Sequence, residues 1–139
     1  ITERTVVKLG SLKDSQKKTE RWRRIALEAA KQSNRGVVPY VYEPLSFKEA
    51  ITNSEDSELR LIPYEKEKSV KLSNCLREAE AKKVSVFIGP EGGYSEEEIE
   101  KAEVGGVVPV SLGPRILRTE TAGLMVLSIL MYALGDVGQ

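Results

Sequence analysis

The sequence predicts an α/β fold in which a parallel sheet is flanked by helices, and three observations lead there. Short apolar runs, LRLIPY at 59–64, VSVFI at 84–88 and VVPVSL at 107–112, alternate with longer stretches of helical periodicity. The middle run is followed at once by glycine and proline, as expected for a buried parallel strand. The last run passes through Gly113 and Pro114 into a polar cluster of Arg115, Arg118, Thr119, Glu120 and Thr121. Such a cluster at the carboxyl end of a strand lies where open parallel sheets place ligands.

In chain order, a first helix is predicted over 14–33. Lys17, Arg21, Arg24 and Lys31 fall on one side of it, while Trp22, Ile25, Ala26 and Ala29 take the opposite side, against the core. A short strand follows at 37–41 and a small helix at 47–51, and NSEDS at 53–57 reads as an exposed polar loop. The strand 59–64 precedes a helix over 70–82, on which the single cysteine, Cys75, is expected as a small buried hydrophobe. After the strand 84–88, Ser95 and Glu98 form a capping box for a helix over 95–103. The strand 107–112 leads to the final helix, which opens near Thr119 to Thr121 and runs through Leu124, Leu127 and Leu130. Leu124, Met125, Val126, Leu127, Ile129, Leu130 and Met131 cover too much of that helix for one apolar stripe. Two faces therefore need burial, one against the sheet and one against a partner. Without a linker or a repeat, residues 1–139 read as one domain.

Composition excludes several kinds of chemistry. The chain has no histidine, which removes a histidine general base, a serine–histidine triad and any imidazole zinc site. No loop has calcium-ligand spacing, so no metal is expected. No uncharged apolar run reaches the roughly eighteen residues of a membrane span, and the polar amino terminus does not resemble a signal peptide. Together these features predict a cytoplasmic protein. The 21 basic and 21 acidic residues balance overall, yet residues 1–40 carry ten Lys or Arg against four Asp or Glu. That end is the expected nucleic-acid face, although Glu28 interrupts the basic stripe and a merely solvated helix side is the alternative.

Two segments carry the functional signal. In VSVFIGPEGGYSEEE, Gly89, Gly92 and Gly93 permit positive φ or close approach of a ligand. No lysine follows the glycines and three glutamates follow Ser95, so the segment is not a phosphate loop. It suits an uncharged or cationic ligand lined by backbone, or else is a capped glycine-rich turn. In VPVSLGPRILRTETAGLMVLSILM the alternative is a βα connection whose Thr119 or Thr121 caps the helix.

FIGPEGGYSEEEIE followed by SLGPRILRTETAG resembles the carboxyl-terminal half of the RsmE family, ribosomal RNA methyltransferases of the SPOUT, or α/β-knot, class. Upstream, ERWRRIALEAAKQSNRGVVPYV is similar to the family helix that ends in Glu28, Ala29, Ala30, Gln32, Ser33 and Arg35. The resemblance implies S-adenosyl-L-methionine-dependent methylation of N3 of a uridine in 16S ribosomal RNA of the small subunit. It implies a homodimer whose carboxyl-terminal chain threads a deep trefoil knot. It also implies that a PUA-like β-barrel and the domain's first strand and helix normally precede a segment like 1–9, so that 1–139 is expected to be a partial methyltransferase domain. Cofactor contacts are implied for Leu61, Ile62 and Pro63; for Ile88, Gly89, Pro90, Glu91, Gly92 and Gly93; and for Leu112, Gly113, Ile116, Leu117, Arg118, Thr121 and Ala122. RNA contacts are expected at Lys17, Arg21, Arg24 and Arg35.

Methylation at uracil N3 requires that nitrogen to lose its proton, because the neutral imide is a poor nucleophile. Arg118 is the candidate to stabilise the resulting anion and Glu120 the candidate base or orienting group. Alternatively Arg118 binds the cofactor carboxylate or an RNA phosphate, and Glu120 steadies the helix amino terminus. Glu91 or Glu120 is placed to offset the sulfonium charge. Two other classes stay open, a non-catalytic RNA-binding or ribosome-assembly module and a pocket for another adenine-containing ligand.

Overall fold

A computed structural model describes residues 1–6, 10–77 and 79–135, with Leu12 described by its backbone alone. The chain divides into two compact units, Ile1 with Val7–Leu45, and Thr2–Val6 with Ser46–Gln139. Of the expected segment 1–9, residues 7–9 lie outside the described part.

The first unit is built on α1, Leu12–Gln32. Ser11 caps it by accepting from the Asp14 amide, and the Asp14 carboxylate accepts from the Ser11 amide at 3.0 Å. The buried side of α1 differs from the predicted one. Thr19 and Ala30 are buried and Arg23 and Ala26 half-buried, whereas Trp22, Ile25 and Ala29 are exposed. Polar anchors choose this side. Arg23 Nε donates to the Val41 carbonyl at 2.9 Å, Thr19 Oγ1 reaches Glu43 at 3.5 Å, and the Arg23 guanidinium lies 3.8 Å from the Glu43 carboxylate. Hydrophobic periodicity is blind to such contacts. The predicted strand at 37–41 joins no ladder among the described residues.

The second unit contains α2 Phe47–Thr52, β1 Leu59–Pro63, α3 Leu72–Leu76, β2 Val84–Val86, α4 Glu96–Val104, β3 Val108–Val110 and α5 Thr119–Ala133. Its sheet has the order β2-β1-β3 and both pairings are parallel, with Leu61 opposite Val86 on one side and Val108 on the other. Adjacent residues of a strand point to opposite faces, so Leu61 and Ile62, both fully buried, enter different cores. Ile62 packs with Ile51 of α2, Ile99 and Ala102 of α4, Tyr94 and Val107. Leu61 packs with Leu72 and Leu76 of α3, Val110, and Val126 of α5. Burial of each such aliphatic side chain contributes about 1.5–3 kcal/mol. Helices thus cover both faces of a parallel sheet.

The helix expected at 70–82 is a single turn in the described residues, and Glu78 lies outside them. The backbone just before that turn is engaged elsewhere. Ser111 donates to the Val70 carbonyl at 2.7 Å and its own carbonyl accepts from the Leu72 amide at 3.2 Å, a bridge that keeps Lys71 extended. Cys75 is half-buried and packs against the Leu61 core. Ser95 precedes α4 as its cap, as the capping box requires.

Candidate functional site

Past the carboxyl ends of the three strands lies a cavity of about 770 Å³. Residues 63–65 continue β1 into its wall, 88–94 follow β2, and 111–120 follow β3, with Ala122 added from α5. Two positions on the wall need glycine for conformational reasons, since Gly93 has φ +66° and Gly113 φ +108°. A Cβ built on Gly113 meets no atom within 4 Å, so the backbone there is open to a ligand.

The amino end of α5 meets the same cavity. Arg118 is its N-cap, with no side-chain capping bond, and the first helical bond runs from the Ala122 amide to the Arg118 carbonyl at 2.8 Å. Neither Thr119 nor Thr121 caps the helix. The positive end of the macrodipole is therefore unsatisfied by a side chain where the wall forms. Arg115 and Arg118 are exposed on that wall and carry no ion pair among the described residues.

Most of the expected cofactor residues converge here. Pro63, Ile88, Gly89, Pro90, Glu91, Gly92, Gly93, Leu112, Gly113, Ile116, Leu117, Arg118 and Ala122 line the cavity, together with Glu120. Leu61 and Ile62 lie in the two cores beneath it and are not on the wall, and Thr121 sits on the exposed side of α5. Tyr64, Glu65, Tyr94, Ser111, Pro114, Arg115 and Thr119 also line it. Tyr94 and Ser111 could have been suspected from their places beside the glycine turns. Tyr94 is buried, and burial first, then the Glu98 charge, push its phenol well above the ordinary tyrosine range. It stays protonated and cannot serve as a base near neutral pH.

A second groove of about 690 Å³ shares the 111–114 wall and runs along Lys68, Lys71, Leu72, Met125 and Ile129. Beside it, Glu67 accepts from the Ser69 hydroxyl and amide at 2.6 Å and from the Val70 amide at 2.9 Å. These donors, the hydroxyl above all, hold its carboxyl down at about 2. In the first unit, Lys17, Arg21, Arg24 and Arg35 are all exposed, and Lys31 pairs with Glu28 at 2.9 Å. Among the described residues no group of acidic or cysteine side chains is arranged to hold a metal, and no helix is long and apolar enough to cross a membrane.

Residues 1–131 match the family model of the RNA methyltransferase domain. Ribosomal RNA small subunit methyltransferase E of Bacillus subtilis is 41% identical over 134 residues, covering 93% of this chain and 52% of the relative. The enzyme of the same name from Aquifex aeolicus is 42% identical over 117 residues, with 83% and 48% covered. Among solved structures, a putative methyltransferase from Legionella pneumophila in complex with the cofactor SAM superposes with a TM-score of 0.84 at 35% identity, covering 96% of this chain and 53% of that one. The methyltransferase E of Neisseria gonorrhoeae bound to S-adenosyl methionine gives a TM-score of 0.81 at 33% identity, with 95% and 52% covered. The chain thus spans about half the length of the relatives it matches. With nearly the whole chain matched by that family model and by relatives of this identity, the chain belongs to the RNA methyltransferase domain family.

Proposed function

We propose that this chain supplies the methyltransferase part of an S-adenosyl-L-methionine-dependent enzyme that methylates N3 of a uridine in 16S ribosomal RNA. The observation that carries the reading is the convergence of two glycine loops and the uncapped start of α5 on one cavity at the carboxyl ends of the strands. The residues present fit the cofactor. Open backbone at Gly113 and the glycines of 89–93 allows close approach, Ile88, Ile116 and Leu117 offer apolar surface to an adenine, and the α5 amino end suits a carboxylate. When bound, the cofactor supplies an electrophilic methyl group.

The chain's own groups do the rest. Arg118, exposed on the wall and without an ion pair among the described residues, stabilises negative charge on the uracil imide; Glu120, two residues on, orients the base or accepts its proton. Lys17, Arg21, Arg24 and Arg35 hold the RNA backbone. Support for homodimerisation comes from the outer side of α5, where Leu124 is 70% and Leu127 57% exposed. A trefoil knot in the carboxyl-terminal chain and a cytoplasmic location belong to the same reading.

Titration calorimetry with S-adenosylmethionine, S-adenosylhomocysteine and ATP tests the pocket. Preference for ATP would move the chain to another adenine-ligand class, and RNA binding with no cofactor binding would make it an assembly module. The Arg118→Ala variant is expected to lower the single-turnover methylation rate at saturating RNA and cofactor. If it lost only affinity, Arg118 would be reassigned to binding.

A further inference from the structure

The three capping boxes among the described residues obey one sequence rule but differ in their surroundings. At α1 and α2 the acids Asp14 and Glu49 are exposed and bond only within their own box. At α4 the acid is Glu98, which is only 2% exposed. Its Oε2 accepts from the Ser95 amide at 3.0 Å, and its Oε1 accepts from the amide of Glu3 at 2.8 Å. The next residue continues the contact, for Arg4 Nη1 donates to the Gly92 carbonyl at 3.1 Å. Gly92 is pressed against it: a Cβ there would lie 3.0 Å from Arg4 Cβ and 3.3 Å from the Arg4 carbonyl oxygen. The segment that reaches over is itself a closed turn, with the Thr5 amide donating to the Thr2 carbonyl at 3.3 Å and the Thr2 amide to Thr5 Oγ1 at 3.2 Å.

We infer that Thr2–Val6 is a clamp on the cofactor loop, with Arg4 and the main-chain amide of Glu3 as positioning groups that hold residues 89–93 in their binding shape through Gly92 and Glu98. The inference rests on the reading of 89–93 as a cofactor loop. That loop has few restraints of its own. Within it the Gly93 amide closes a turn onto the Pro90 carbonyl at 2.9 Å, and beyond it the buried Tyr94 ring and the α4 cap anchor its carboxyl end. Arg4 adds a bond from outside the loop, to the Gly92 carbonyl within that turn. A buried carboxylate oxygen demands a donor, so Glu98 in turn fixes where the clamp sits. The clamp therefore sets how the amides and carbonyls of 89–93 are presented to the cavity.

Arg4→Ala, Arg4→Lys, Gly92→Ala and Gly113→Val in the full-length protein separate the possibilities, with S-adenosylhomocysteine affinity, melting temperature and the KM and kcat for methyl transfer as readouts. Arg4 is exposed, so its loss should cost little stability. Arg4→Ala is expected to weaken cofactor affinity about five- to tenfold, in the range of one ordinary hydrogen bond, with the loss falling on KM for the cofactor more than on kcat. Arg4→Lys should recover part of it, and Gly92→Ala should weaken binding too. Unchanged affinity in Arg4→Ala, while Gly113→Val abolishes binding, would overturn the clamp and leave the cofactor site standing. A fall in affinity that merely tracks a fall in melting temperature, with no recovery by lysine, would also overturn it. Unchanged affinity in Gly113→Val would remove the cofactor reading of the cavity and the clamp with it.

Discussion

Replacement of Gly113 should damage stability and ligand binding by separate routes, in amounts that differ between alanine and valine. Its φ of +108° is one that residues with a Cβ rarely adopt, and holding such a residue there costs about 1–3 kcal/mol. No neighbour lies within 4 Å of an added Cβ, so no overlap adds to this cost. At about 4 °C per kcal/mol for a domain of this size, the melting temperature should fall by about 4–12 °C in either variant. Binding should respond to side-chain volume instead. Gly113 lies on the walls of both cavities, and the two extra methyls of valine project into space the ligand needs. Alanine should cost up to about tenfold in S-adenosylhomocysteine affinity and valine about a hundredfold or more, equivalent to about 1.4 and 2.7 kcal/mol. Thermal unfolding and calorimetry on the same samples measure the two effects. Native affinity in a folded valine variant would refute the close approach, and wild-type melting temperatures in both would refute the backbone conformation.

Other perturbations reach different parts of the molecule. Alanine at Lys17, Arg21 and Arg24 should weaken RNA binding and flatten its salt dependence, by about 0.7 in the log–log slope for each phosphate that single-stranded RNA no longer has neutralised, as read by filter binding. Leu127→Glu places a charge on the exposed apolar side of α5 and should shift sedimentation toward monomer, with the Val126 core intact. The Glu67 carboxyl is lowered in the folded state, so its contribution is present above the unfolded value near 4.5 and lost as pH falls through about 2. Ser69→Ala removes its largest donor, and NMR titration should find the Glu67 midpoint moved upward; an unmoved midpoint would show that the backbone amides alone hold it.

The parts legible in the sequence are those governed by local chemistry. Ser95 and Glu98 announced the start of α4, and the glycine turns after β2 and β3 marked the wall of the cavity. Glu98 shows where such reading ends, because a capping motif cannot report that its acid is buried under Thr2–Val6, a segment more than ninety residues away. The short α3 has a similar origin. Helical periodicity at 70–82 competes with a bridge from Ser111, and only the folded chain brings Ser111 to Val70. For α1, apolar residues indicated one side and the polar contacts of Thr19 and Arg23 selected another. Leu61 and Ile62 came from family resemblance; their side chains are buried in the two cores, and Pro63 beside them is on the wall.

The order β2-β1-β3 has a consequence for how the protein comes into being. The central strand is the first of the three to be synthesised, and both of its neighbours are made later. As the chain emerges, β1 waits with two open edges, then with one after Val86 appears, and the last edge closes only when Val110 is available. Such distant parallel pairings form slowly, and an open apolar strand is exposed to capture by other chains meanwhile. The stretch that completes the pairing of β1 runs directly into the 111–120 wall, so full pairing of the central strand and competence to hold a ligand arrive in the same late step. A nascent chain paused before β3 would have neither, and chaperone contact should be greatest in that interval.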